Sequence, residues 1–85
     1  DRATQRIAKV LLNLCAAYGR VRPEGIYITL RFTCTDIATM VSTSRVTVNN
    51  TLLELANAGV IEKQEGYYLI RDEARLQEMA TAAQE

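Results

Sequence analysis

Arg45 and Val46 are followed four residues later by Asn49 and Asn50, so on a helix the four side chains occupy two adjacent turns. Their chemistry is that of reading a hydrogen-bonding edge. A guanidinium offers a rigid fork of donors that matches the O6 and N7 acceptors of a guanine, and a carboxamide can pair with an adenine or hold a phosphate. A valine left outside a core can lie against a thymine methyl. Around these stand groups suited to phosphate oxygens: the hydroxyls of Thr33, Ser44 and Thr47 and the cations of Arg31 and Lys63. Arg45, Val46, Asn49 and Asn50 are therefore candidate base contacts, and Thr33, Ser44, Thr47, Arg31 and Lys63 candidate phosphate contacts. Each has a plainer role beside it: helix capping for the hydroxyls, solvated surface for the cations.

The pattern around these residues predicts the elements that would hold them. A short helix over 35–41 turns Ile37, Ala38 and Val41 inward, with Thr33 or Thr35 as its N-cap. Ser42-Thr43-Ser44 breaks it and caps a longer helix over 45–58, in which Val48, Leu52 and Leu55 form the inner stripe and Gly59 the stop. That inner stripe leaves Arg45, Val46, Asn49 and Asn50 on the outer face near the helix start, the end that enters a DNA major groove in helix-turn-helix proteins. Two short strands, 60–63 and 67–70, joined through Gln64-Glu65-Gly66, make a hairpin directly behind. Of Tyr67 and Tyr68, alternation puts one in the core and one on the wing surface.

Upstream, Ile7, Val10, Leu11, Leu14, Cys15 and Tyr18 recur at helical spacing, and Gly19 is expected to end that helix as a residue tolerant of a left-handed backbone. Residues 20–25, with Pro23 and Gly25, read as a loop, and 26–30 as a short strand. The segment from Asp72 either forms a last helix through Ala74, Leu76, Met79 and Ala80 or frays. The predicted fold is α+β, mainly α: a winged helix-turn-helix with a small antiparallel β hairpin as the wing.

Composition removes most alternatives. The chain has 85 residues, 48% of them hydrophobic and 24% charged, enough for one small domain over 1–85. It has no histidine, and its two cysteines, Cys15 and Cys34, cannot supply a zinc site. Both cysteines fall in apolar helical patterns, which suits reduced core thiols in a cytoplasmic protein. No Gly-rich phosphate loop or nucleophile elbow is present, so an enzyme is not expected, nor a cofactor or metal in this domain. No apolar run approaches the about 18 residues of a membrane span. The chain opens Asp1-Arg2-Ala3, without an initiating Met, and reads as a piece of a longer protein. Net charge is zero, yet residues 1–50 carry seven Lys or Arg against three acids and residues 51–85 three against seven. Such a dipole gives the domain one anion-facing side.

Three runs, Thr33-Cys34-Thr35-Asp36-Ile37-Ala38, Thr43-Ser44-Arg45-Val46-Thr47-Val48 and Leu52 through Ile61, resemble the carboxy-terminal DNA-binding domain of the CRP/FNR regulator superfamily. The resemblance extends from about Arg6 through Asp72. It implies a cytoplasmic bacterial transcription factor, homodimeric as a whole, whose missing amino-terminal half is a β-roll effector sensor with a dimerising helix. It also implies that Arg45 matches the family's guanine-reading arginine, Ser44 and Thr47 its phosphate-contacting hydroxyls, and Thr33 the backbone contact opening the first helix. Val46 stands where many members carry glutamate, Asn50 where many carry a second arginine, and Ser42 in place of a frequent turn glycine. The Arg45-Val46-Thr47-Val48 run is closer to the cyanobacterial nitrogen-control branch, so the base preference is expected to be shifted or relaxed.

The leading expectation is a DNA-binding output domain whose partner is double-stranded DNA, largely monomeric as this fragment. RNA polymerase is a further candidate partner, through the acidic carboxy-terminal surface. The competing expectation is a winged helix kept as a protein-interaction module with DNA binding lost, motivated by zero net charge, Val46 and the acids Glu54, Glu62 and Glu65.

Overall fold

A computed structural model describes residues 2–81. Helix α1 (Arg2–Tyr18) buries Ile7, Ala8, Leu11, Leu14 and Cys15, one stripe at helical spacing. Strands β1 (Gly19–Arg22) and β2 (Gly25–Ile28) follow, then α2 (Cys34–Val41), α3 (Arg45–Asn57), β3 (Ile61–Gln64), β4 (Tyr67–Ile70) and α4 (Glu73–Thr81). The strands form one antiparallel sheet in the order β1-β2-β4-β3. The wing is thus the outer half of a four-stranded sheet, larger than a lone hairpin.

Two expectations are corrected here. Gly19–Arg22 is a strand, paired with β2 from Gly19↔Ile28 to Arg22↔Gly25, and only Pro23 and Glu24 turn between them. Its side chains are mostly exposed, Val21 at 87%, so this edge strand is held by its backbone and leaves no alternating apolar signature. Gly19 does end α1, but its φ is not positive. Any Cβ there would collide with the Cys15 carbonyl and the Ile26 side chain, so a close approach selects the glycine.

The helix-facing side of the sheet is set by register. Ile61, Ile70 and Ile26 lie in one row and Lys63, Tyr68 and Ile28 in the next. Ile28, Ile61, Tyr68 and Ile70 join Ile7, Leu11, Leu14, Ile37, Val41, Val48, Leu52, Leu55, Val60 and Leu76 in a single core. Each fully buried aliphatic side chain there contributes about 1.5–3 kcal/mol relative to exposure. Of the two tyrosines, Tyr68 is the core one, stacked on Phe32 at 5.0 Å, and burial pushes its hydroxyl above the usual tyrosine range. Tyr67 lies on the outer sheet face, 5.4 Å from Tyr27.

The segment from Asp72 is a helix through Thr81: Asp72 accepts from the Arg75 N–H at 3.0 Å, and Leu76 and Ala80 are buried. It packs along α1, where burial, then the Glu73 charge, raises the Cys15 thiol to about 11. Cys15 is a core thiol as expected. Cys34, the first residue of α2, is only half-buried at the edge of that core, and both thiols are free.

Candidate nucleic-acid interface

Helix α2 starts on a closed capping box. Thr33, not Thr35, is its N-cap; the Thr33 hydroxyl accepts from the Asp36 N–H at 3.2 Å, and the Asp36 carboxylate accepts from the Thr33 N–H at 2.8 Å. The helix ends at Ser42, whose φ of 54° and ψ of 50° are left-handed. Thr43 and Ser44 complete the turn.

Ser44 then caps α3. Its hydroxyl accepts from the Thr47 N–H at 3.1 Å and donates to the Thr47 hydroxyl at 3.0 Å. The Thr47 proton is left to donate outward. At the far end Val60 N–H reaches the Leu55 carbonyl at 2.9 Å and Gly59, at φ +77°, makes the left-handed step. Leu55 and Val60 are both buried, the apolar contact that accompanies such a stop. The expected glycine stop is therefore in place.

Val48, Thr51, Leu52 and Leu55 face the core, and Arg45, Val46, Asn49 and Asn50 are all exposed, Val46 at 69%. Among the described residues, the side chains of Arg45, Asn49 and Asn50 have no hydrogen-bond or ion-pair partner. Arg45, Val46 and Asn49 line a shallow groove with Thr33, Cys34 and Thr35 at the start of α2. Asn49 also borders a second groove, shared with Leu53, Ala56 and Lys63 of the wing. The structure thus draws Thr33, Arg45, Val46, Asn49 and Lys63 along one continuous surface. Asn50 lies beside it, exposed, and lines neither groove.

Alternation along β3 keeps the wing's charges apart. Lys63 shares the helix side with Tyr68, its ammonium 5.7 Å from that ring. Glu62 faces away, where hydrogen bonds from Gln64 at 2.8 Å and then Arg71 at 2.6 Å hold its carboxyl below the usual range. Glu62, next to it in sequence, therefore does not pair with the lysine beside α3. Arg31 is engaged elsewhere, against the Glu65-Gly66 turn of the wing.

Sequence reasoning missed Cys34, Thr35 and Leu53 as surface of these grooves. The helical spacing of Cys34 to Ile37 and Ala38 points to a fully buried position, whereas it is half-buried at the core's edge; Leu53, 54% exposed, sits next to the buried Leu52. Counting from Val48 in helical steps places Leu53 outward, and that signal was available.

A helix-turn-helix with a β wing and exposed, unpartnered polar side chains at the start of its second helix has the architecture of a winged-helix DNA-binding module. The chain belongs to the Crp-like helix-turn-helix domain family, whose family model matches residues 5–79, and it is a DNA-binding output domain of a transcription regulator. Over 71 residues it is 37% identical to a CRP-like cAMP-activated global transcriptional regulator of Mycobacterium tuberculosis, covering 84% of this chain and 32% of that protein. The CO-dependent transcription factor CooA from Carboxydothermus hydrogenoformans superimposes with a TM-score of 0.84 at 29% identity, covering 92% of this chain and 36% of that one. A CRP-family transcriptional regulator from Thermus thermophilus gives 0.80 at 28%, covering 92% and 40%. The chain spans about a third to two fifths of the length of these relatives.

Proposed function

We propose that α3 enters the major groove of double-stranded DNA with its amino-terminal end leading. Arg45 reads a guanine, Val46 meets a thymine methyl, and Asn49 and Asn50 address an adjacent base and the backbone. Thr33, Thr47 and Lys63 donate to phosphates on either side, and Ser44 orients Thr47 for its contact. The observation that carries this reading is the exposed, unpartnered set Arg45, Asn49 and Asn50 on a helix whose other face is buried. Polar side chains that a fold neither buries nor pairs are available to a ligand.

In the reading proposed, this is one domain over 1–85 of a longer cytoplasmic homodimer. The effector binds elsewhere in that protein, and RNA polymerase touches the acidic carboxy-terminal surface. Alone, the chain binds a single half-site weakly as a monomer. Selection of bound sequences from a random DNA pool with the full-length protein is expected to return a half-site with a strongly preferred guanine. Arg45→Ala is then expected to cost about 1–3 kcal/mol at the selected site and relax the preference at one base pair. Equal losses on selected and random DNA would make Arg45 a phosphate contact and would refute its reading role.

A further inference from the structure

The guanidinium of Arg31 lies against the tip of the wing. Its Nη2 donates to the Glu65 carbonyl at 3.5 Å, and its Cζ lies 4.9 Å from the centre of the Tyr67 ring. A Cβ added at Gly66 would meet that Cζ at 3.4 Å, so the glycine surface is part of the same seat. The turn has reason to need outside support. Glu65 at φ 52° and Gly66 at φ 87° are both left-handed, and Glu lacks the local side-chain bonding that lets Asn or Asp hold the first of these positions. The base of the arginine is anchored. Phe32 next to it is buried against Tyr68, and Thr33 after that is locked in the capping box of α2. One side chain therefore ties the tip of the wing to the segment that opens the helix-turn-helix, while Lys63 on the same hairpin stands beside Asn49.

We propose that Arg31 is a positioning residue: it holds the wing turn against the start of α2 and thereby sets where Lys63 meets the DNA backbone, rather than binding phosphate itself. This rests on the DNA-binding reading above. The shape of the group carries the role, since lying over the Tyr67 ring while donating to a carbonyl uses the spread fork of a guanidinium, which lysine lacks at the same charge.

Hydrogen exchange on the chain alone tests the contact. In Arg31→Lys and Arg31→Gln the amides of Gln64 and Tyr67, the pair that closes the turn, are expected to exchange about threefold faster or more, with the Leu11 and Leu55 amides unchanged. Unchanged wing exchange would overturn the proposal. A double-mutant cycle on a random-sequence 20-bp duplex tests the consequence. Arg31→Lys is expected to weaken binding about threefold to tenfold, and by less than about twofold when Lys63→Ala is already present. Wild-type affinity for Arg31→Lys, or equal losses in both backgrounds, would also overturn it. If the unaltered chain binds neither this duplex nor one carrying the selected half-site, the DNA-binding reading fails, and the exchange experiment alone decides the role of Arg31.

Discussion

Helices α2 and α3 each begin on a hydroxyl residue three positions ahead of the N–H it caps, yet the two starts are built for different ends. At α2 the polar groups close on one another: Thr33 and Asp36 exchange hydrogen bonds in both directions. At α3 Ser44 and Thr47 also bond to each other, the Ser44 hydroxyl accepting from the Thr47 N–H and donating to its hydroxyl, but Arg45, Asn49 and Asn50 beside them are left exposed without partners among the described residues. A self-satisfied start stabilises a helix, whereas an unsatisfied one keeps donors available for something brought from outside. The inner face of α3 resolves the apparent cost, because Val48, Thr51, Leu52 and Leu55 anchor the helix without help from its outer face.

The sharpest way to separate anchor from reader is to remove the anchor. Leu55 is 1% exposed and joins α3 to Val60 at the helix stop. Leu55→Ala is expected to cost about 2–5 kcal/mol in urea unfolding, a large share of the stability of so small a domain. Arg45→Ala is expected to leave the same midpoint unchanged. A similar loss for both would mean that the exposed face of α3 also supports the fold.

The groove between the two helix starts provides a second test, through thiol chemistry. Cys34 lines it beside Arg45 and Val46, whereas Cys15 is buried and raised to about 11, leaving about one thiolate in a thousand at pH 8. A bulky maleimide at pH 8 is expected to label Cys34 well before Cys15. The label should then weaken DNA binding by about 1–3 kcal/mol, as an overfilled contact does. Labelling of Cys34 with full retention of binding would remove the α2 start from the interface.

The caps themselves differ by a smaller margin. Asp36→Ala opens the box of α2 and Ser44→Ala uncaps α3, each at about 1 kcal/mol of stability. Only Ser44→Ala is expected to weaken DNA binding in addition, since it frees the Thr47 hydroxyl from its orientation. Equal binding by both variants, measured where each is fully folded, would erase the distinction between the two starts.

Much of this arrangement was legible in the residues. Val48, Leu52, Leu55 and Gly59 set the buried face and end of α3, and turning them inward left Arg45 and Asn49 outward by geometry alone. The hairpin was legible because Gly66 and the apolar run 67–70 bracket a turn. Other features depend on partners distant in the chain. β1 pairs through its backbone, so Arg20 and Arg22 carry no sign of it. The choice of Thr33 over Thr35 rests on where Asp36 can reach back. Gly19 was legible as a stop but not for its reason, the crowding by Cys15 and Ile26. Lys63 could be named as a cation, but its place beside Asn49 follows from the β3↔β4 register. Arg31 looked like a free charge because Tyr67 and Glu65 are more than thirty positions away.

The turn between the two helices gives the smallest effect and the finest probe of the comparison. Ser42 holds a left-handed backbone without a side-chain hydrogen bond among the described residues. For a residue with a Cβ that conformation costs about 1–2 kcal/mol, and glycine relieves it. Glycine also gives the unfolded chain more freedom, which returns about 0.4–1 kcal/mol. Ser42→Gly is therefore expected to raise the stability measured in urea by a net of about 0.5 kcal/mol, with DNA binding unchanged, because the turn stays in the same conformation. Ser42→Ala, which keeps the Cβ, should show no such gain. A lowered stability for the glycine variant would mean that the serine hydroxyl, not the backbone it tolerates, fixes the angle at which α3 leaves α2.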